Sequence, residues 1–81
     1  MKIQILGPGC AQCRRLAENV EQAVRALGLD CTIEKVTKID DILALGVMIP
    51  PALVVDGKVV AAGQVLGVGE IEKLLREAES A

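Results

Sequence analysis

The chain has no histidine and no aromatic residue. Without an imidazole, proton transfer must run through water, a carboxylate or backbone groups. A single-chain zinc centre is disfavoured, because zinc normally takes four nitrogen or sulfur ligands and only three cysteines are present. Without Phe, Tyr or Trp the core must be built from Leu, Ile, Val and Ala. The stacking platforms of single-stranded nucleic acid binders are missing too. There is no basic block, and 9 Lys and Arg against 11 Asp and Glu leave a net charge of −2. Nucleic acid is therefore not an expected partner. No apolar run approaches membrane-spanning length. Met1–Leu6 is too short for the apolar part of a signal peptide and runs into Gly7-Pro8-Gly9. These absences predict a cytoplasmic protein with no membrane partner. The odd cysteine count argues against a purely structural disulfide framework.

What is present is a chain of 81 residues, 52% hydrophobic and 25% charged, too apolar for disorder and sized for one domain, residues 1–81. Lys2-Ile3-Gln4-Ile5-Leu6 alternates as a strand does, and Gly7-Pro8-Gly9 ends it. From Ala11 the period becomes helical. Cys13, Leu16, Ala17, Val20, Val24 and Leu27 recur at three- and four-residue steps and share one face, with Gly28 as the stop. Cys31 to Val36 reads as a second strand. A short helix over Ile39–Leu45 follows, with Ile39, Ile42 and Leu43 expected inward and Gly46 as its stop. Val47-Met48-Ile49-Pro50-Pro51 leads into strand Ala52–Val55. Asp56-Gly57 signals a type I′ hairpin, and Lys58–Ala62 returns. A last helix carries Val68, Ile71, Leu74, Leu75 and Ala78 as its buried stripe.

The element order is β-α-β-α-β-β-α. It predicts an α/β fold with a four-stranded mixed sheet flanked by three helices. The first β-α-β unit is expected to be parallel and right-handed, and the first strand central. The short helix is placed on one face and the two longer helices on the other.

Cys10-Ala11-Gln12-Cys13 falls between the first strand and the first helix. A thiol at a helix start meets unpaired backbone N–H groups and the positive end of the dipole, which favour the thiolate. A CxxC in this setting reads as a redox motif. Cys10 is the expected nucleophile. Cys13, one turn inward on the apolar stripe, is the expected resolving thiol, and the spacing brings the two sulfurs within bridging reach. The blander reading, two unpaired core cysteines, sits poorly beside a Gly-Pro-Gly loop. Arg14 and Arg15 either add positive potential near Cys10 or are simply solvated. Cys31, beyond the far end of the first helix, is expected in the core.

The CxxC at the first β-α junction, with a proline just before the third strand, resembles the thioredoxin superfamily. The minimal length resembles its glutaredoxin-like members. The segments Lys2-Ile3-Gln4-Ile5, Gly9-Cys10-Ala11-Gln12-Cys13, Gly46-Val47-Met48 and Pro51-Ala52-Leu53-Val54-Val55-Asp56-Gly57 are similar to the small thioredoxin-like redox-active disulfide proteins of archaea and bacteria. The resemblance implies a minimal thioredoxin-like fold. It also implies a thiol–disulfide oxidoreductase with no cofactor beyond a redox-active Cys10–Cys13 disulfide and no metal. By it, Pro51 is a cis-proline facing that disulfide, and Pro51, Pro50, Ala11 and Gln12 contact substrate. Disulfide-containing proteins are the expected substrates, with an unidentified reductase upstream and a monomeric state.

Three departures stand out. Thioredoxins usually carry Trp before the first Cys, Gly-Pro between the two, and an acid on the strand before the motif. Here Gly9, Ala11-Gln12 and Gln4 stand in those places. Thioredoxin's redox poise is therefore not transferable, since the intervening dipeptide shifts both thiols. Pro50 also lacks the N–H that many relatives offer to substrate. Met48, Ile49, Val65 and Leu66 either rim the disulfide or close the core. The alternative function is a soft-metal carrier binding Cu(I) through the two thiolates, although such ferredoxin-like domains end on a strand. A third reading is a scaffold with an inert bridge.

Overall fold

Residues 1–9 and 11–80 are described by the computed structural model. Seven elements run in the order β1 (Lys2–Leu6), α1 (Ala11–Leu27), β2 (Thr32–Val36), α2 (Ile39–Ala44), β3 (Ala52–Val55), β4 (Lys58–Ala62) and α3 (Val68–Ser80). The sheet has the spatial order β2-β1-β3-β4. β1 pairs with β2 in parallel, and β3 is antiparallel to both β1 and β4. This is the α/β mixed sheet with three helices that the periodicities predict, with β1 inside it.

The alternation in β1 sorts the layers. Ile3 and Ile5 are buried among Leu16, Ala17, Val20 and Ala23 of α1 and Ile71 and Leu75 of α3. On the opposite face Leu6 packs with Ile42, Val47, Ala52 and Val54. β3 is buried along its whole length because it carries helices on both faces. The register keeps faces consistent: Ile33 lies beside Ile3, and Lys35 beside Ile5.

Local signals act as their chemistry dictates. α1 closes in a Schellman arrangement, Gly28 N donating to Arg25 O and Leu29 N to Val24 O, each at 3.2 Å. Asp56 and Gly57 take φ values of 50° and 83°, the two positive values a type I′ turn demands. The hairpin tip is clasped to the chain start, with Lys2 N on Asp56 Oδ1 and Asp56 N on Lys2 O, both at 2.8 Å.

One expectation about burial is corrected. In α2 only Ile42 is buried, while Ile39 and Leu43 are 62% and 52% exposed. A six-residue helix turns less than twice, so it offers the sheet a single ridge, and Ile42 occupies it. Of the two readings open for Leu66, the structure has the core one: it packs in the α1/α3 core, and its carbonyl accepts a 2.9 Å bond from Asn19 Nδ2 of α1. Met48 and Ile49 are exposed, at 83% and 67%.

Candidate functional site

The site lies at the C-terminal end of β1, where the parallel β1–β2 pair and the start of β3 meet the first turn of α1. Cys13 is buried there. Ala11 and Gln12, on the same turn, are exposed. Cys10, the expected nucleophile, lies outside the described residues.

Gly7 decides how closely α1 sits. A Cβ built on Gly7 would overlap the Cys13 Sγ and come within 2.9 Å of the Cys13 Cβ, with the Pro51 Cα 4.0 Å away. Only a residue without a side chain lets the Cys13 sulfur pack against the end of β1. Gly7 is tied to edge strand β2, and Pro51 to the residue just past edge strand β4, by one backbone bond each. Gly7 N donates to Val36 O at 2.9 Å, and Gly63 N donates to Pro51 O at 2.8 Å. Gly7, Cys13 and Pro51 thus form one cluster spanning three chain segments. The Pro50–Pro51 peptide is cis, Pro51 is buried and Pro50 half-buried. Neither proline has an N–H, so this segment offers an approaching molecule no backbone donor at these two residues.

On the other side of Cys13, between α1 and β2, lies a cavity of about 50 Å³. Buried Ile5, Gly7, Cys13 and Ala17 line it, together with exposed Arg14, Lys35 and Thr37. No carboxylate is among its described lining residues. Gln4, which takes the place of the acid on the strand before the motif, is on the opposite face. Its Nε2 donates to Glu34 Oε1 at 3.1 Å, and Lys2 Nζ stands 3.8 Å from Glu34 Oε2. The alternation that buries Ile5 under α1 turns Gln4 away from Cys13.

Charge at the start of α1 is one-sided. Its first turn has no acidic residue, so no carboxylate on that turn offsets the positive end of the helix dipole. Cys31 lies far from this region, just before β2, where Thr32 N bonds Met1 O at 3.0 Å. Burial chiefly pushes its thiol up from the ordinary value. The chain-terminal ammonium pulls it down, and Asp30 adds a smaller upward push.

Gly7 and Lys35 are the site residues that sequence reasoning passes over. Gly7 reads as part of a turn, although its companion Gly9, not Gly7, has the positive φ. The signal for Lys35 is a charge closing the otherwise apolar alternation Cys31, Ile33.

Residues 1–76 match the thioredoxin domain family. The chain belongs to the thioredoxin family. A thioredoxin of Methanothermobacter thermautotrophicus is 45% identical over 75 residues, covering 93% of this chain and 97% of the relative. A thioredoxin of Methanocaldococcus jannaschii is 39% identical over 74 residues, covering 91% of this chain and 85% of the relative. Within the thioredoxin family frame, Cys13 sits at the first turn of α1 beside Gly7 and the cis Pro50–Pro51 peptide. No helix among the described residues is long and apolar enough to cross a membrane.

Proposed function

We propose that this domain is a cytoplasmic thiol–disulfide oxidoreductase that reduces disulfides in protein or small-molecule substrates. The observation that carries the reading is the seating of Cys13: buried in the first turn of α1, against Gly7 and beside Pro51. Family membership supports it.

In this mechanism the Cys10 thiolate attacks one sulfur of the substrate disulfide. A Cys10–substrate disulfide forms, and the first substrate thiol leaves. Cys13 then loses its proton and attacks Cys10 Sγ. The Cys10–Cys13 bond forms, the mixed disulfide breaks, and the second substrate sulfur leaves as a thiolate that takes a proton from solvent. The protein dithiol gives up two electrons and the substrate gains them. An upstream reductase restores the dithiol. In this reading Pro51 and Pro50, with Ala11 and Gln12, are the residues that contact the substrate. The missing N–H groups at both prolines mean that a bound peptide is held there through backbone acceptors only, a weaker form of strand addition.

The reduced protein is expected to reduce insulin and to release two equivalents of thionitrobenzoate from dithiobis(nitrobenzoate). The first equivalent reports attack by Cys10 and the second resolution by Cys13. Cys10→Ser removes both, whereas Cys13→Ser keeps the first and stalls at the mixed disulfide. Equal reactivity of wild type and Cys10→Ser would overturn the proposal. The Cu(I)-carrier alternative is not favoured, because the chain belongs to the thioredoxin family.

A further inference from the structure

The composition leaves few side chains for an oxidant to attack. With no His, Trp or Tyr, only the sulfur residues remain, three cysteines and two methionines. They differ sharply in access. Cys13 is buried and Cys31 half-buried. Burial pushes the Cys31 thiol up, and a protonated thiol is a poor nucleophile. Cys10 lies outside the described residues; in the proposed mechanism it and Cys13 form a reversible disulfide. Met1 is half-buried and packs against the α1/α3 core. Met48 is 83% exposed, more than any other large apolar side chain among the described residues.

Met48 is exposed because its neighbours are fastened. Val47 is buried with Leu6, Ile42, Ala52 and Val54. Ile49 lies over Gly63, where an added Cβ would come within 3.2 Å of the Ile49 Cγ2. Pro51 is buried, and its carbonyl accepts the Gly63 N–H at 2.8 Å. Anchored on both sides, the chain leaves the Met48 thioether in water just ahead of the cis Pro50–Pro51 peptide. A thioether is soft and apolar, and its sulfoxide is polar. At this position the change of polarity falls beside the prolines that the proposed function places against substrate.

We propose that Met48 is an oxidation-sensitive modification site, and that its sulfoxide lowers the affinity of the domain for protein disulfides. The inference rests on the reading of Pro50 and Pro51 as substrate contacts. The oxidant is a peroxide. A lone pair of the Met48 sulfur attacks one peroxide oxygen, the O–O bond breaks and an S–O bond forms. The sulfur gives up two electrons. The departing hydroxide takes the proton of the transferred oxygen and leaves as water. A methionine sulfoxide reductase reverses the change, spending a dithiol and releasing water. The sulfoxide outlasts reduction of the cysteines, so exposure to oxidant leaves a mark on substrate choice after the dithiol is restored.

The test treats the full chain in its disulfide form with hydrogen peroxide. Dithiothreitol then reopens the disulfide and leaves any sulfoxide in place. Peptide mapping by mass spectrometry is expected to find one added oxygen on Met48 before Met1. The treated protein is expected to show a KM for insulin about three- to tenfold higher at unchanged kcat. Both thionitrobenzoate releases keep their rates, because so small a disulfide makes little use of the segment. A methionine sulfoxide reductase returns the KM to its starting value. Met48→Leu, of similar volume, loses the response, so its KM is the same before and after peroxide. Met48→Gln, polar from the start, has the higher KM without oxidant. Oxidation of Met1 first, an insulin KM that peroxide leaves unchanged, or a response that persists in Met48→Leu overturns the proposal. Equal slowing of the thionitrobenzoate releases overturns it too, since the damage then lies at the cysteines. An untreated parent that reduces neither insulin nor dithiobis(nitrobenzoate) instead overturns the functional reading, and the peptide map still decides whether Met48 is the modified residue.

Discussion

Replacing Gly7 by Ala tests the packing on which the site is built. The added Cβ would overlap the Cys13 Sγ and stand 2.9 Å from its Cβ. Gly7 is not among the positive-φ glycines, so the backbone accepts alanine and the whole penalty is steric. Neither neighbour yields cheaply. Cys13 is buried, and Gly7 is pinned to Val36 by its own N–H. Forcing a methyl group into such a contact costs about 1–3 kcal/mol. For a domain of this size that lowers the melting temperature by about 4–24 °C. The sulfur must also move, and a misplacement of about 1 Å at a reacting atom costs about 100-fold in rate. The expected result is a lower melting temperature together with a selectively slowed second thionitrobenzoate release. Gly9→Ala is the contrast. At φ +93° with nothing within 4 Å, it costs about 1–2 kcal/mol of backbone strain and leaves Cys13 unpushed. Adding Cys13→Ala to Gly7→Ala removes the Sγ and is expected to recover part of the stability. A Gly7→Ala protein that melts and resolves like its parent would refute the argument.

Leu16→Ala, at a fully buried position of α1, is expected to cost about 2–5 kcal/mol, whereas Ile39→Ala on exposed α2 stays within about 0.5 kcal/mol; denaturant melts compare them. Asn19→Ala leaves the Leu66 carbonyl without its 2.9 Å donor and is expected to lose about 1–2 kcal/mol in the same assay. Because burial raises the Cys31 pKa above 9.0, the folded protein retains a proton there that the unfolded chain has lost. Stability from this thiol is full below the unfolded pKa and is lost as pH rises through the folded one. Cys31→Ala is therefore expected to flatten the fall in stability on the alkaline side, checked by urea melts across that range.

Most of the architecture was legible because each element announces itself by period. β1 alternates, α1 repeats at three and four, and Asp56-Gly57 admits few turns. The register followed from which side chains had to be inward. α2 was misjudged because six residues cannot sustain a helical face, so Ile39, Ile42 and Leu43 competed for one contact and only Ile42 has it. For Leu66 the choice between rim and core stayed open, because a loop position says nothing about a hydrogen bond from Asn19, 47 residues away in sequence. The site was half legible. Cysteine spacing and Pro50-Pro51 stand out in one dimension. The meeting of Gly7 with Cys13, and of Lys35 with the same cavity, exists only once β1, β2 and α1 are assembled.

The sheet is clothed unevenly. Two long helices cover one side, while the other is covered by α2, which contributes one buried residue. Regions with so few apolar contacts detach at a fraction of the global unfolding free energy. Amide hydrogens of α2 should thus exchange by sub-global opening well before those of α1 or β3. The chain from α2 leads on to Pro50–Pro51, so the wall that borders Cys13 is hinged to the least secured part of the molecule.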